Sequence, residues 1–253
     1  MRQRAVGSMV LAAAVLLSGC DFGSPGPTPT PSPAPTPTPT PTPILITSSL
    51  ATGFDGWQAS YADYTPGMEA TIAFASGHEP LPAPLDANSG VFLTSDNSSD
   101  DVFMYLWRPV TGLEPNRRYR VEVTVAFATN APPGCVGIGG APGESVFLKA
   151  GAAPREPANV VSGGLVVPNF DKGNQAQGGT EAVVVGDFAQ LVPGGDCVAP
   201  SYQFKTLTTN GAGPTVTSDA TGRLWLVVGT DSGYEGNTRI YWREIAATLT
   251  AVP

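Results

Sequence analysis

Few residues of this sequence could act as a nucleophile, base or acid in catalysis. The one histidine, His78, lies in Gly77-His78-Glu79-Pro80, beside turn-forming residues. Acyl transfer needs a base next to a nucleophile, and Gly229-Thr230-Asp231-Ser232-Gly233 lacks the G-x-S-x-G spacing of a nucleophile elbow. Glycoside hydrolysis needs two facing carboxylates, and no pair stands out among the 21 acidic residues. The sequence therefore predicts a protein that is not an enzyme, with a carbohydrate-active hydrolase or lyase as the alternative.

One acidic loop, from Ser95 to Asp101, has side chains suited to calcium. Three of its carboxylates, Asp96, Asp100 and Asp101, come just before a predicted strand. Calcium takes six to eight oxygen ligands and tolerates irregular loops, although clusters of Asp, Asn and Ser also form solvated turns. These three aspartates are the candidate ligands of a structural calcium ion, and no other cofactor is indicated.

Aromatic side chains are the second candidate for ligand binding. Trp57, Tyr61 and Tyr64 are close in sequence, and Trp107 ends an apolar run. Flat rings stack on the apolar face of a pyranose while nearby amides and carboxylates bind its hydroxyls. These four residues are the predicted contacts for a neutral glycan, and the alternative is that they fill the core.

The first twenty residues have the pattern of a secretory signal. Two arginines precede an apolar run that ends at Leu17 and is too short for a permanent membrane span of about 20 residues. The following Leu17-Ser18-Gly19-Cys20 resembles the bacterial lipobox, whose cysteine is acylated and becomes the new N-terminus. The resemblance implies a signal peptide over 1–19, a lipidated Cys20, and a membrane-anchored protein outside the cytoplasm, either periplasmic or surface-exposed.

Residues 20–43 are predicted to form the lipidated cysteine and a disordered Pro/Thr-rich stalk. Ten prolines between positions 25 and 43 alternate with small residues, so every second residue lacks an amide donor and neither helix nor sheet can form. A polyproline II segment of this length rises about 3.1 Å per residue and spans roughly 60 Å.

The charge of the chain restricts its partners. Its 13 basic and 21 acidic residues give a net charge of −8, and loss of the two arginines with the signal would make this about −10. Binding of nucleic acid needs clustered Lys and Arg, so nucleic acid is excluded, and anionic polysaccharides are disfavoured for the same reason. A neutral polysaccharide, a cation or an envelope protein remains open as a partner.

Cys135 and Cys197 are the cysteines that remain once Cys20 is assigned to lipid. Both lie in Gly/Pro-rich loops, and cysteines outside the cytoplasm usually pair. A disulfide between them would close a loop of about sixty residues and stabilise the fold by roughly 4 kcal/mol in the chain-entropy model. Free thiols or a metal site are the alternatives.

Residues 44–253 are predicted to form one all-β domain, a two-sheet jelly-roll-like β-sandwich. Short runs of Val, Phe, Thr and Tyr alternate with Gly, Pro, Asn and Asp. Strict alternation makes 119–127 the clearest strand. In 102–107 both faces are apolar, so this strand is either buried on both sides or offers an aromatic face to a ligand. Further strands are predicted at 44–50, 68–74, 90–94, 145–149, 160–167, 181–188, 202–209, 214–218, 224–228 and 238–250, the last with a bulge near Arg243-Glu244.

Four short segments resemble parts of known families. Gly53-Phe54-Asp55-Gly56-Trp57 resembles the first strand of carbohydrate-binding jelly rolls, which implies a glycan-binding module. The segment from Leu113 to Tyr119 resembles the L-x-P-x-x-x-Y corner of fibronectin type III domains, in which the tyrosine hydroxyl hydrogen-bonds back across the turn. The Gly-rich stretches 135–145 and 229–236 are similar to segments of bacterial envelope lipoproteins. The leading hypothesis is an envelope-displayed glycan-binding module, and a purely structural envelope lipoprotein is a further alternative.

Overall fold

The computed structural model describes Gly26 and residues 42–98 and 101–253. The predicted signal peptide, the lipidated Cys20 and nearly all of the Pro/Thr-rich stalk lie outside these residues. Among the helices of the described ranges, none is long and apolar enough to cross a membrane.

The described residues form fourteen strands and one single-turn helix. In chain order these are β1 (Ile44–Ser49), β2 (Gln58–Ala62), α1 (Glu69–Ile72), β3 (Ala75–Pro80), β4 (Ser89–Asn97), β5 (Val102–Val110), β6 (Arg118–Thr129), β7 (Val146–Ala153), β8 (Asn159–Ser162), β9 (Leu165–Pro168), β10 (Ala182–Asp187), β11 (Gln203–Thr208), β12 (Thr215–Thr217), β13 (Leu224–Ser232) and β14 (Gly236–Ala251).

Twelve of these strands build two antiparallel sheets. The seven-stranded sheet has the order β11-β6-β14-β4-β3, with β1 beside β14 and β12 beside β6, and the five-stranded sheet has the order β10-β7-β13-β5-β2. Strands β8 and β9 pair with each other as a separate hairpin. The prediction of an all-β, two-sheet sandwich is therefore confirmed.

The inner faces of the two sheets form the main core. In β6 every second residue from Tyr119 to Phe127 is buried, while the residues between them are exposed or half-buried. Trp57 and Trp242 join this core, at 3% and 0% exposure. Complete burial of a large apolar side chain contributes about 1.5–3 kcal/mol, so the inner faces provide the main driving force for the fold.

Strand β5 is buried on both faces, which settles the alternatives left open for 102–107. Val102, Met104 and Leu106 belong to the core between the sheets. On the outer face of the strand, a second buried cluster contains Phe103, Tyr105 and Trp107, together with Phe170. Phe170 comes from residues 154–181, the covering segment, which joins β7 to β10 and contains the β8–β9 hairpin.

Two predicted strands take another form. Residues 68–74 were predicted as a strand, but Glu69–Ile72 is helical. The Ile72 N–H donates a hydrogen bond to the Met68 carbonyl oxygen, and the Ala73 N–H donates to that of Glu69. Met, Glu and Ala favour helix, and a single turn is enough to bury Ile72. The predicted strand 160–167 is two strands, because Gly163 and Gly164 both have positive φ and form a tight turn. Strands β2 and β3 were not predicted.

Two local predictions of the sequence are confirmed. The register between β14 and β6 shifts between Trp242 and Glu244, which is the bulge expected near Arg243-Glu244. The Tyr119 hydroxyl accepts a hydrogen bond of 3.0 Å from the backbone N–H of Glu114, as in a tyrosine corner.

Candidate functional site

The four aromatic residues predicted to bind sugar have little free surface. Trp57, Tyr64 and Trp107 are 3%, 8% and 7% exposed. Tyr61 is half-buried, and its ring stacks on Tyr64 and Phe74 at centroid distances of 5.0 and 4.6 Å. A buried ring cannot stack on a pyranose unless its cover moves, so the role of these residues as glycan contacts stays a prediction.

The acidic loop predicted to bind calcium is divided between the two sheets. Asp96 is exposed on β4 of the seven-stranded sheet and accepts a hydrogen bond of 2.8 Å from Asn237. Asp100 lies outside the described residues. Asp101 precedes β5 of the other sheet, where its carboxylate lies within 4.8 Å of those of Asp63 and Asp231. Calcium binding by Asp96, Asp100 and Asp101 stays a prediction.

Two buried lysines lie beside the group of Asp63, Asp101 and Asp231. Lys172 Nζ lies 2.7 Å from carboxylate oxygens of both Asp63 and Asp231. Lys149 Nζ lies 3.4 Å from Asp231 and donates to the carbonyl oxygens of Lys172 and Gln177. Burial raises the pKa of Asp63 and lowers that of Lys149. The burial of Lys172 is outweighed by the two carboxylates, which raise its pKa.

This buried charge cluster is a structural link between the covering segment and the sheet. Lys172 belongs to the covering segment, whereas Lys149 and Asp231 belong to β7 and β13. The Tyr105 hydroxyl adds a hydrogen bond of 2.9 Å to Asn159 of the same segment. No pattern in the sequence indicated buried lysines, since lysine is seldom buried unless it is paired. The covering segment therefore shields the outer face of the five-stranded sheet, and the contacts that hold it there are buried.

The outer face of the seven-stranded sheet carries the open surface. One row of directly opposite residues crosses five strands of it, and its members are Gly77, Phe92, Tyr241, Ala128 and Phe204. Phe204 is 44% exposed, and Tyr241 is buried beneath its neighbours, where its hydroxyl donates to Glu79 at 2.7 Å. An exposed ring on a sheet face can stack against the flat apolar side of a ligand.

A groove of about 360 Å³ lies next to Phe204 on this face. Its floor is Ala126, and the directly opposite residues of the neighbouring strands are Thr206, Glu244 and Ser49. The groove therefore combines an aromatic side wall with two hydroxyls and a carboxylate. Small-molecule sites have volumes of roughly 300–1,000 Å³, so the groove falls in this range.

The β14 bulge brings Arg243 into the groove beside Glu244. A bulge re-aims side chains by placing two residues opposite one, and both residues line the groove. The Arg243 guanidinium lies 5.1 Å from the centroid of the Phe204 ring and donates to the Asn88 side chain at 2.8 Å. Gly90 lets the β14 backbone approach β4 closely at the bulge, because a Cβ there would come within 2.8 Å of the Trp242 carbonyl oxygen.

A second depression, of about 630 Å³, continues the groove along the same face. It is lined by Arg120, Glu122, Thr208, Asn210, Gly211, Thr250 and Val252. Thr208 lies directly opposite Thr124, and a row of small residues continues from there between the two depressions: Thr124, Ala246 and Thr47. We call the whole surface the trough. Phe204 lies opposite Ala128, and Arg120 is eight residues along β6, so the trough runs for roughly 27 Å at 3.4 Å per residue.

The charges that line the trough balance. Arg243 is next to Glu244 at one end, and Arg120 is near Glu122 at the other. The ammonium of Lys205, which also borders the groove, is bound at 2.8 Å by Asp187. A surface without excess charge, rich in hydroxyls and with one exposed ring, suits a neutral polar ligand.

Phe204 and Arg243 were not among the candidate site residues predicted from the sequence, although signals for both were present. Phe204 lies in the predicted strand 202–209, and the predicted bulge contains Arg243. Their meeting depends on the pairing of β11 and β14 with β6, which joins segments some forty residues apart. Register of this kind is set by the packed sheet and not by local sequence.

The groups considered for catalysis have structural partners. The His78 ring is exposed, with Nε2 3.0 Å from the Ala51 carbonyl oxygen. Ser232 is buried in β13, and its hydroxyl donates to the Tyr234 carbonyl at 3.0 Å. Partial burial of Glu79 is outweighed by hydrogen bonds from Tyr241 and Arg239, which lower its pKa. A carboxyl that acts as a general acid needs the opposite shift.

The predicted disulfide is present between Cys135 and Cys197, with a Cα–Cα distance of 5.8 Å. It joins two loops, residues 130–145 and 188–201, at the end of the sandwich where β14 begins. Five exposed aliphatic side chains lie on these loops: Val136, Ile138, Leu191, Val192 and Val198.

Comparisons with known proteins concern the fold. No protein-family model and no curated protein matches the sequence. A carbohydrate-binding module that recognises mannan is 8% identical, with 83% of this chain and 99% of that chain covered and a TM-score of 0.37. A module specific for non-crystalline cellulose is 12% identical, with 80% and 92% covered and a TM-score of 0.32. The enzymatically active domain of tailspike protein 4 from bacteriophage CBA120 is 9% identical over 79% of this chain, with a TM-score of 0.31, and this chain spans 20% of its length.

Proposed function

We propose that the β-sandwich is a non-catalytic module that binds a neutral polysaccharide chain along the trough. The observation that carries the proposal is the exposed Phe204 ring beside the charge-balanced groove of Arg243 and Glu244. A sugar ring would stack on Phe204, while the guanidinium donates to its hydroxyls and the carboxylate accepts from them. The length of the trough, roughly 27 Å by the rise of 3.4 Å per residue, suits a chain of several sugars more than a single one.

We further propose that this module is displayed outside the cytoplasm by a lipidated Cys20 and the Pro/Thr-rich stalk. The disulfide supports a location outside the cytoplasm, because paired cysteines persist in oxidising compartments. Mass spectrometry of the native protein tests the anchor. An acylated N-terminal Cys20 is expected, and an unmodified thiol with residues 1–19 attached would refute this part of the proposal.

Binding is tested with the full chain and soluble neutral polysaccharides: mannan, xylan, galactan and hydroxyethyl cellulose. Affinity electrophoresis should show retardation by at least one of them. Phe204→Ala should weaken that binding at least tenfold, which corresponds to about 1.4 kcal/mol. Val161→Ala is the matched control, since Val161 is a 71% exposed apolar residue on the covering segment.

Two outcomes would contradict the proposal. The first is the absence of retardation by all four polysaccharides, and the second is equal binding by wild type and Phe204→Ala. Release of new reducing ends that is abolished by Glu244→Gln would instead identify a hydrolase that uses the trough carboxylate.

A further inference from the structure

Two reactive groups, the Lys149 amine and the Asp231 carboxyl, are enclosed together in the buried charge cluster. Neither side chain has any exposed surface, and Lys149 Nζ lies 3.4 Å from Asp231 Oδ2. The carboxyl carbon is bonded to that oxygen, so it is also close to the nitrogen. Groups held with their reacting atoms about 3–3.5 Å apart are in near-attack geometry. Lys149 and Asp231 are therefore positioned for a reaction between amine and carboxyl.

The hydrogen bonds of Lys149 match those of an uncharged amine. Its Nζ donates to the carbonyl oxygens of Lys172 at 3.0 Å and of Gln177 at 2.6 Å. An uncharged amine has two N–H bonds and one lone pair, so these two contacts use both donors and leave the lone pair. Burial also lowers the pKa of Lys149, because the ammonium loses its hydration. The nitrogen is thus in the form that attacks a carbonyl carbon.

The two oxygens of Asp231 have different surroundings. Oδ2 accepts a hydrogen bond of 2.7 Å from the Lys172 ammonium and one of 2.8 Å from the backbone N–H of Gln175. Oδ1 is buried and has no hydrogen-bond partner among the described residues. Donors fixed around one oxygen stabilise the negative charge that develops there when a nucleophile adds to the carbon. Oδ2 is therefore the oxygen that stays, and Oδ1 is the one that can leave.

The surroundings of the pair supply a proton carrier and exclude water. Asp63 shares the Lys172 ammonium with Asp231, at 2.7 Å from each carboxylate, so its carboxyl can pass a proton between the reacting atoms. The Phe103 ring borders the same site, with its centroid 5.0 Å from Lys172 Nζ. Exclusion of water prevents hydrolysis of the product. Groups confined in this way reach effective molarities of about 10⁵ M or more, which favours a condensation that free amines and carboxylates do not undergo.

We propose that Lys149 and Asp231 condense to an isopeptide bond within the folded domain. The carboxyl takes the proton that Lys149 releases on becoming uncharged. Nζ then attacks Cγ, the C–N bond forms, and the C–Oδ1 bond breaks. Oδ1 leaves as water with that proton and one further hydrogen from the nitrogen, so no oxidant or cofactor is consumed. The former Oδ2, now the amide oxygen, keeps its hydrogen bonds from Lys172 and Gln175, and Lys172 keeps its ion pair with Asp63.

The bond would join two neighbouring strands of the five-stranded sheet. Lys149 in β7 lies directly opposite Gly229 of β13, and Asp231 is two residues further along β13, on the same face. A covalent link at this point restricts the unfolded chain as a disulfide does. Reduction does not break an amide, so this link would persist where the bond between Cys135 and Cys197 is lost.

Peptide mapping tests the proposal on the full chain, shown to be folded by circular dichroism and then reduced and digested with trypsin. Cleavage after Lys149 should be absent, and a branched peptide of residues 121–155 and 224–239 should appear, lighter by one water than the sum of its two parts. Lys149→Met should abolish the branched peptide. Lys205 is the matched internal control: its Nζ lies 2.8 Å from Asp187, but that side chain is 38% exposed, so cleavage after Lys205 should be normal.

Three results would overturn the inference. They are ordinary cleavage after Lys149 without the branched peptide, a link through Lys172 in place of Lys149, and a link between Lys205 and Asp187, which would show that proximity without enclosure is sufficient. A Lys149→Met variant that fails to fold changes nothing, because the peptide map of the wild type decides by itself. Binding in the trough plays no part in the bond, so failure of the proposed function would leave this inference standing.

Discussion

Lys172 Nζ lies 2.7 Å from a carboxylate oxygen of Asp231, and this ion pair joins the covering segment to β13 of the five-stranded sheet. Both side chains are at most 5% exposed. Their contact closes the aromatic cluster around Tyr105 from solvent, because the same segment inserts Phe170 at 5.5 Å from that ring. A pair of charges thus determines which face of the sandwich remains open.

Lys172→Met is expected to destabilise the domain by about 3–5 kcal/mol, since it leaves buried carboxylates without their ammonium. Urea denaturation measures the change in the free energy of unfolding. Lys205→Met is the control, because the partner of Lys205, Asp187, is 38% exposed at its side chain and can be hydrated. An equal loss in both variants would contradict the role assigned to the buried cluster.

Asp219 should make stability depend on pH below 4. Partial burial is outweighed by hydrogen bonds from Thr221 and Arg223, which lower the pKa of Asp219 to about 2 from an ordinary 3.8. A lowered folded-state pKa stabilises the fold above the unfolded pKa, and this contribution is lost as pH falls towards the folded value. Asp219→Asn should therefore flatten the stability profile between pH 4 and 2. Asp86→Asn, at an exposed position, should leave that slope as in wild type.

Tyr119→Phe should cost about 0.5–1.5 kcal/mol by removing the acceptor of the Glu114 N–H. The ring itself is retained, so the core packing of Tyr119 should be preserved. Hydrogen exchange at the Glu114 amide provides a local measurement, and its protection should fall in the variant. Unchanged protection at this amide would show that the corner is held by other contacts.

Replacement of both Cys135 and Cys197 by serine should lower stability by about 2–5 kcal/mol, because a loop of 62 residues is no longer closed in the unfolded chain. The midpoint of urea unfolding should fall, and reduction of the wild type should lower it by a similar amount. An unchanged midpoint would contradict a stabilising disulfide.

The sequence alone determined the fold class, because each signal for it comes from residues that are close together in the chain. Alternation in 119–127 identifies a half-buried strand, the L-x-P-x-x-x-Y spacing identifies the corner, and the slip in alternation near Arg243 identifies the bulge. Each signal depends on residues within one strand or turn, where side-chain direction follows directly from position. The pairing of Cys135 with Cys197 was predicted on the assignment of Cys20 to lipid, with free thiols or a metal site as alternatives, and the structure has the disulfide.

The tertiary structure decided which aromatic side chains are covered and which are exposed. The doubly apolar strand 102–107 was compatible with either an open aromatic face or a covered one, and the choice depends on Lys172, which lies some seventy residues away and pairs with Asp231. Phe204 meets Arg243 because two separate strands flank β6 in a fixed register. Such contacts arise from packing between distant segments, whose free energy no local pattern encodes.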